Sequence, residues 1–320
     1  MTSKLIELTQ AAALIPDGAT ISFGGFTTQR HPMAFVYELI RQGRRDLYLF
    51  GHSPGGDWDI LIGAGCVKRV ELAYGADEAF NTVGTRWRLA VQRGLIEWED
   101  YSNFSMVARF TAGAMGLPFL PTRSLLGSDV LKKQALSDEQ RRKDPRTSPK
   151  KAHVMRSPFD PADKVVLVPA IHTEFAVIHV QKASINGTVR IEGQTFADIQ
   201  QALAADVVIV TAEEIVDEQA LRQEPERNAL PPFVVHYLCY VPFGAHPYAV
   251  YHCYDYDPIQ LKTYHDSAGD DHMFQEYLHK YVLEPQNHAA YLEAIGGPER
   301  LESLKADLEF GYRADLKRRI

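Results

Sequence analysis

Compact apolar runs and amphipathic stretches alternate along the first third of this chain. Residues 20–23, 46–50, 67–74 and 95–99 have the length and apolar character of strands. Residues 5–15, 33–42, 58–64, 85–93 and 103–115 instead carry apolar side chains at the three-to-four spacing of a helix face. The breakers agree: Pro16 ends the first helical stretch, Gly43 stands where a C-cap glycine would, and Gly116-Leu117-Pro118 follows the last. One strand–helix unit every ~20–30 residues predicts an α/β fold, a mainly parallel open sheet covered by helices on both faces.

The later pattern adds three apolar, β-branched runs, 165–168, 175–180 and 207–211, suited to a sheet buried on both sides. Ile185-Asn186-Gly187-Thr188 is a hairpin signal. Residues 138–151 are charged and nearly free of apolar side chains, which predicts an exposed segment rather than a linker, since the alternation resumes beyond it. A helical tail is expected over 273–320. There is no internal repeat, and the whole chain, 1–320, reads as one domain.

Composition narrows the classes. With 320 residues, 45% apolar and 23% charged, the chain can bury a full core. A net charge of −7 argues against nucleic-acid binding. No apolar run reaches the length of a membrane span, and residues 1–7 lack a signal-peptide pattern. Cys66, Cys239 and Cys253 have no paired spacing, which predicts buried thiols in a reducing cytoplasm and neither disulfides nor a structural metal. Trp58 is expected in the core.

The richest stretch is Asp17 to Pro32. The strand-like run 20–23 enters Gly24-Gly25, a polar loop and then a helix. Paired glycines at the carboxyl end of a strand let backbone amides approach a ligand. A helix N-terminus adds free N–H groups and a positive dipole end. The carboxyl edge of an open sheet is also where ligands sit. An ordinary βα turn would need the same glycines. Neither a phosphate-binding Gly-x-x-x-x-Gly-Lys-Ser/Thr loop nor a His-Glu-x-x-His pair occurs, and the third glycine of a dinucleotide site is missing.

The complete string, an Asp-Gly pair, a short apolar strand, Gly24-Gly25-Phe26, a variable loop and Pro32, resembles the signature of the α subunits of family I coenzyme A transferases. Ser22 interrupts the apolar triplet, and Arg30 replaces the glycine most of that family carries. The likeness is narrower to the α subunits of the glutaconate branch, and it extends over Gly55-Gly56-Asp57-Trp58-Asp59, Gly116-Leu117-Pro118-Phe119-Leu120-Pro121, Gly244-Ala245-His246-Pro247 and Tyr254-Asp255-Tyr256-Asp257. The resemblance implies half of a heteromeric acyl-CoA:carboxylate CoA-transferase. Its substrates would be a dicarboxylic or branched acyl-CoA such as glutaconyl-CoA and a small carboxylate. No permanent cofactor and no metal are implied. The catalytic glutamate of such enzymes lies in a Ser-Glu-Asn-Gly motif of the β subunit. Here the closest string, Ser184-Ile185-Asn186-Gly187, has isoleucine at that place, so no catalytic residue is expected in this chain. Same-fold hydrolysis of cyclic acyl-CoA thioesters, decarboxylation of a glutaconyl-CoA type substrate, and a non-catalytic CoA-binding module remain alternatives. Against the hydrolase stands Ser102-Asn103, where such enzymes carry an acid.

Candidate substrate- or CoA-binding residues follow. Gly24, Gly25 and Phe26 form the turn, and Thr27 and Thr28 either bond substrate or shape the loop. Arg30 either clamps a remote carboxylate through two parallel hydrogen bonds or pairs with an acid of the partner chain. Gly75, Asp77 and Glu78 follow the third strand; the two acids either face the cavity, where they would repel a dicarboxylate or move a proton, or lie solvated at the rim. Gly127 and Ser128 close another segment, and His246 lies in the Gly-Ala-His-Pro loop; turn geometry and a structural histidine are the alternatives there.

Overall fold

A computed structural model describes residues 3–76 and 80–318. The first half builds the predicted alternation: α1 (Leu8–Ala13), β1 (Thr20–Phe23), α2 (Met33–Arg41), β2 (Leu47–Phe50), α3 (Gly56–Gly63), β3 (Val67–Leu72), α4 (Thr85–Gln92), β4 (Glu97–Asp100) and α5 (Asn103–Ala114). There follow β5 (Phe119–Thr122), α6 (Asp129–Lys132), α7 (Asp138–Lys143), β6 (His153–Arg156), β7 (Lys164–Pro169), β8 (Thr173–Ala183), β9 (Val189–Arg190), α8 (Asp198–Leu203), β10 (Ala205–Ile215), α9 (Glu218–Arg222), β11 (Asn228–Leu230) and β12 (Tyr237–Tyr240). The chain closes with α10 (Pro258–Ala268), α11 (Asp271–Leu278), a π-helical turn (His279–Leu283), α12 (His288–Ala294) and α13 (Gly297–Leu304). The helical tail thus begins at Pro258 rather than at 273, and its last helix ends at Leu304, so the expected helix over 305–318 is not formed. No described helix is long and apolar enough to cross a membrane.

The main sheet carries parallel strands in the spatial order β12-β10-β8-β1-β2-β3-β4. From β1 the chain steps outward through β2, β3 and β4; from β8 it steps the other way through β10 and β12. The direction of winding therefore reverses between β1 and β8, and an open α/β sheet forms its ligand crevice at such a point, outside the carboxyl ends of the strands. The Ile185–Thr188 turn closes the expected hairpin onto β9, with Ser184 N–H bonded to the Thr188 carbonyl at 2.9 Å and Gly187 at φ +97°.

The two helices behind the crevice are internal. Every residue of α2 from Met33 to Ile40 and of α3 from Gly56 to Ile62 is buried. The cover is a third layer of aromatic side chains from the C-terminal helices, including Tyr264, Phe274, Tyr277 and Tyr291. Burying both helices on all sides removes the freedom of the loops that enter them.

Three expectations change. The run 165–168 does not join the main sheet; β7 pairs antiparallel with β5 and β6 in a separate three-stranded sheet whose inner face, Val166 and Val168, packs on α5 residues such as Phe110. The charged segment 138–151 is not simply exposed. Glu99, fully buried on β4, accepts the Arg141 guanidinium and the Lys151 ammonium (3.0 Å), so charge pairing buries what hydrophobicity would leave outside. Finally, α1 starts only at Leu8, where Glu7 and Gln10 form a capping box. Residues 4–6 run alongside β12 instead, with Leu238 N–H bonded to the Lys4 carbonyl (2.9 Å) and Ile6 N–H to the Leu238 carbonyl (2.8 Å).

Candidate active site

β1 delivers Gly24 and Gly25 to the winding reversal, and the surroundings explain both. A Cβ on Gly24 would stand 2.9 Å from Asp198 Oδ1 and 3.0 Å from Ile178 Cδ1. Gly25 has φ +97°, and a Cβ there would meet the Gln29 carbonyl oxygen at 2.6 Å. The turn then folds back on itself, with Phe26 N–H to the Gln29 carbonyl (3.0 Å) and Gln29 N–H to the Phe26 carbonyl (2.9 Å). Gly25→Ala should therefore cost about 2 kcal/mol or more, because left-handed strain and a backbone clash coincide. Gly127→Ala, also at positive φ but with open space around it, should cost closer to ~1 kcal/mol. Thermal denaturation of the two variants checks the difference; equal losses would count against this packing account.

The amides expected to face a ligand are engaged inside the protein. Gly24 N–H bonds the Val177 carbonyl (2.8 Å), Gly25 N–H bonds Asp198 Oδ1 (2.8 Å) and Arg30 N–H bonds the Ala249 carbonyl (2.8 Å). Among the described residues, the N–H groups and hydroxyls of Thr27 and Thr28 have no such partner, and both residues are half-buried. The open donors of the turn thus lie two to three residues after the glycines.

Arg30 requires a correction. Its guanidinium is neither a free clamp nor a surface group: it is 2% exposed and paired with Asp198, which is fully buried, with further bonds to the His179 carbonyl (3.2 Å) and the Gln194 carbonyl (2.9 Å). Asp198, at the start of α8, therefore ties β1's turn to the 194–198 loop. Behind it, His31 places Nε2 on the Thr27 carbonyl and Nδ1 on Asp57, both at 3.0 Å. Burial alone would lower the His31 pKa, but the Asp57 carboxylate outweighs it and the pKa is raised.

Rings line the front. Phe26 stacks between His52 (5.3 Å) and Phe196 (4.6 Å), and the Arg30 guanidinium lies 5.7 Å from the Phe196 ring centre. His52 and Ser53 belong to the turn Gly51-His52-Ser53-Pro54-Gly55 between β2 and α3. That string has the Gly-x-Ser-x-Gly spacing of a serine nucleophile elbow, a pattern that sequence reasoning wrongly took to be missing from this chain. The geometry does not complete it: Ser53 Oγ bonds Asn103 Oδ1 (3.0 Å), and no described base bonds it. The cysteines fit a structural role, with Cys66 and Cys239 buried as expected and Cys253 only half-buried: desolvation lifts the thiol pKa of Cys66 to about 11 and of Cys239 and Cys253 to about 12.

The remaining candidates disperse. Gly75, after β3, is half-buried and its carbonyl accepts Gly84 N–H (3.0 Å); Asp77 and Glu78 lie outside the described residues. Ser128 caps α6 and donates to the Leu125 carbonyl (2.6 Å), and Gly127 is exposed at φ +77°, so both serve their own turn. His246 is buried, with Nδ1 on Tyr291 Oη (2.7 Å) and Nε2 on Asp257 (3.1 Å), and is a structural histidine. The site residues that sequence reasoning missed are Asp198, Phe196 and His52. Among the described residues no group of three acids, histidines or cysteines is placed to hold a metal.

A model of the family described as "Coenzyme A transferase" matches residues 5–239. The first of the two subunits of glutaconate CoA-transferase from Acidaminococcus fermentans is 38% identical over 98% of both chains. The corresponding subunit of 3-oxoadipate CoA-transferase from Pseudomonas knackmussii is 31% identical, over 92% of this chain and 98% of its own. The crystal structure of glutaconate coenzyme A-transferase from A. fermentans superposes with a TM-score of 0.95, covering 99% of this chain and 100% of the matched one.

Proposed function

From the premise that this chain belongs to the coenzyme A transferase family, we propose that it is the α subunit of a heteromeric enzyme moving CoA between an acyl-CoA and a free carboxylate. The partner β subunit supplies the reactive glutamate. Its carboxylate attacks the thioester carbonyl and CoA thiolate leaves, giving an acyl-glutamyl anhydride. The thiolate then attacks the glutamyl carbonyl, freeing the first acid and leaving a glutamyl-CoA thioester, and the incoming carboxylate reverses the sequence. The chemistry draws only on the CoA thioester and on side chains, and the proposed setting is the cytoplasm.

One observation carries this reading: at the winding reversal, beside the carboxyl end of β1, the open Thr27 and Thr28 donors stand next to a ring-lined front, while the elbow serine of this chain is tied to Asn103. Donors suited to an acyl or carboxylate oxygen are present and the nucleophile is left to another chain. The proposed substrates are dicarboxylic or branched acyl groups of the glutaconyl type. With the co-expressed partner, a panel of acyl-CoA donors and acids should give acyl exchange as the dominant flux, above hydrolysis and CO₂ release. Dominant hydrolysis or decarboxylation would replace transfer with one of those reactions.

A further inference from the structure

We infer that His52 is a substrate-binding residue of this site, its imidazole donating a hydrogen bond to a carboxylate oxygen of the free acid. The inference rests on the transferase reading for the identity of that acid. His52 is 6% exposed and sits on the turn leaving β2, the strand next to β1. Its ring is fixed by stacking on Phe26, at 5.3 Å and 25° between planes. Its turn also touches the glycine turn directly, since a Cβ on Gly55 would stand 3.2 Å from the Thr27 carbonyl oxygen.

Among the described residues neither ring nitrogen of His52 has a hydrogen-bond partner, yet neither is among the fully enclosed polar atoms. A ring nine-tenths buried, with no protein partner and both nitrogens still open to the outside, leaves its hydrogen-bonding positions to water or to a ligand. The other buried histidines here behave differently: His179 and His246 have both nitrogens hydrogen-bonded, and His31 bonds the Thr27 carbonyl and sets its other nitrogen 3.0 Å from the Asp57 carboxylate. Burial drives the His52 pKa down to about 4, with Asp198 opposing and His31 adding to the fall. At neutral pH the ring is therefore uncharged and offers one N–H and one lone pair. Phe26, stacked on His52, leads directly into Thr27 and Thr28, whose N–H groups and hydroxyls have no partner among the described residues. This collection is rich in donors, and the neighbouring Arg30 and His31 already have the carboxylates of Asp198 and Asp57. An oxygen-rich anion is the ligand such a set suits.

The test uses the co-expressed complex and two variants. His52→Phe keeps the ring stack and removes both nitrogens; His52→Asn restores a donor. His52→Phe should lower kcat/KM for the free acid about 30-fold, as for a lost hydrogen bond to a charged group, with His52→Asn recovering part of it. Both should melt within about 2 °C of the parent. A His52→Phe value within about threefold of the parent would overturn the assignment. So would equal losses in both variants with lowered melting temperatures, which would mark a packing role. Calorimetric binding of glutarate separates the two claims. If the parent complex exchanges no acyl groups, the transferase reading fails; His52 then stands if glutarate binds about tenfold or more weaker to His52→Phe, and falls if binding is unchanged.

Discussion

Asp198→Ala should destabilise the protein by about 3–5 kcal/mol, because it leaves the Arg30 guanidinium buried without a counter-charge. The melting temperature should fall by roughly 6–20 °C, at about 2–4 °C per kcal/mol for a chain of this size class. The loss has two parts. Arg30 loses its carboxylate, and Gly25 N–H loses its acceptor, so the turn and the 194–198 loop come apart together. Asp198→Asn, which keeps an acceptor for Gly25 but no charge, should fall between the two. Arg30→Ala should reduce turnover of mono- and dicarboxylates alike, since the guanidinium shapes the site rather than reaching substrate. Differential scanning calorimetry and paired kinetics check both. A stability change under ~1 kcal/mol for Asp198→Ala, or a loss confined to dicarboxylates for Arg30→Ala, would return Arg30 to substrate recognition.

The second large effect is all-or-none. The purified chain should show no acyl exchange, and mixing or co-expression with its β subunit should restore it. Three structural facts underlie this: Ser53 is bonded to Asn103, the thiols are held protonated by burial, and His246 is enclosed by Tyr291 and Asp257. A ¹⁴C-acyl exchange assay on the chain by itself is the check. Full exchange without a partner would mean that a group of this chain forms the covalent intermediate.

Much of this architecture could be read from the chain because local chemistry and global packing agree there. The alternation of short apolar runs with amphipathic stretches, the Gly43 stop and the Asn186-Gly187 turn each act within a few residues, and each appears where the pattern put it. What was illegible depends on distant partners. Asp198 lies 168 residues from Arg30, so nothing near Arg30 could show that its charge is neutralised inside the chain. Residues 138–151 are nearly free of apolar side chains, and their burial comes from distant charges, Glu99 on β4 for Arg141 and Lys151 and Arg69 on β3 for Asp144 and Thr147. The strands β5 and β6 are short and mostly exposed, so they left no clean periodicity, and the apolar run of β7 could not by itself show which sheet it joins. His52 was legible as part of a glycine-rich turn, but its unpartnered nitrogens emerge only once the surrounding loops are assembled.

The pairing of residues 4–6 with Leu238 bears on how the protein avoids sticking to itself. The outer rail of β12 would otherwise offer unpaired amides and carbonyls to any passing strand, a template for fibre-like growth. A few residues of the same polypeptide occupy that rail, and Lys4 adds a cation bonded to the carbonyls of Pro232 and Val235. Purification handles or truncations that disturb this short guard would compromise solubility well before they touched the chemistry.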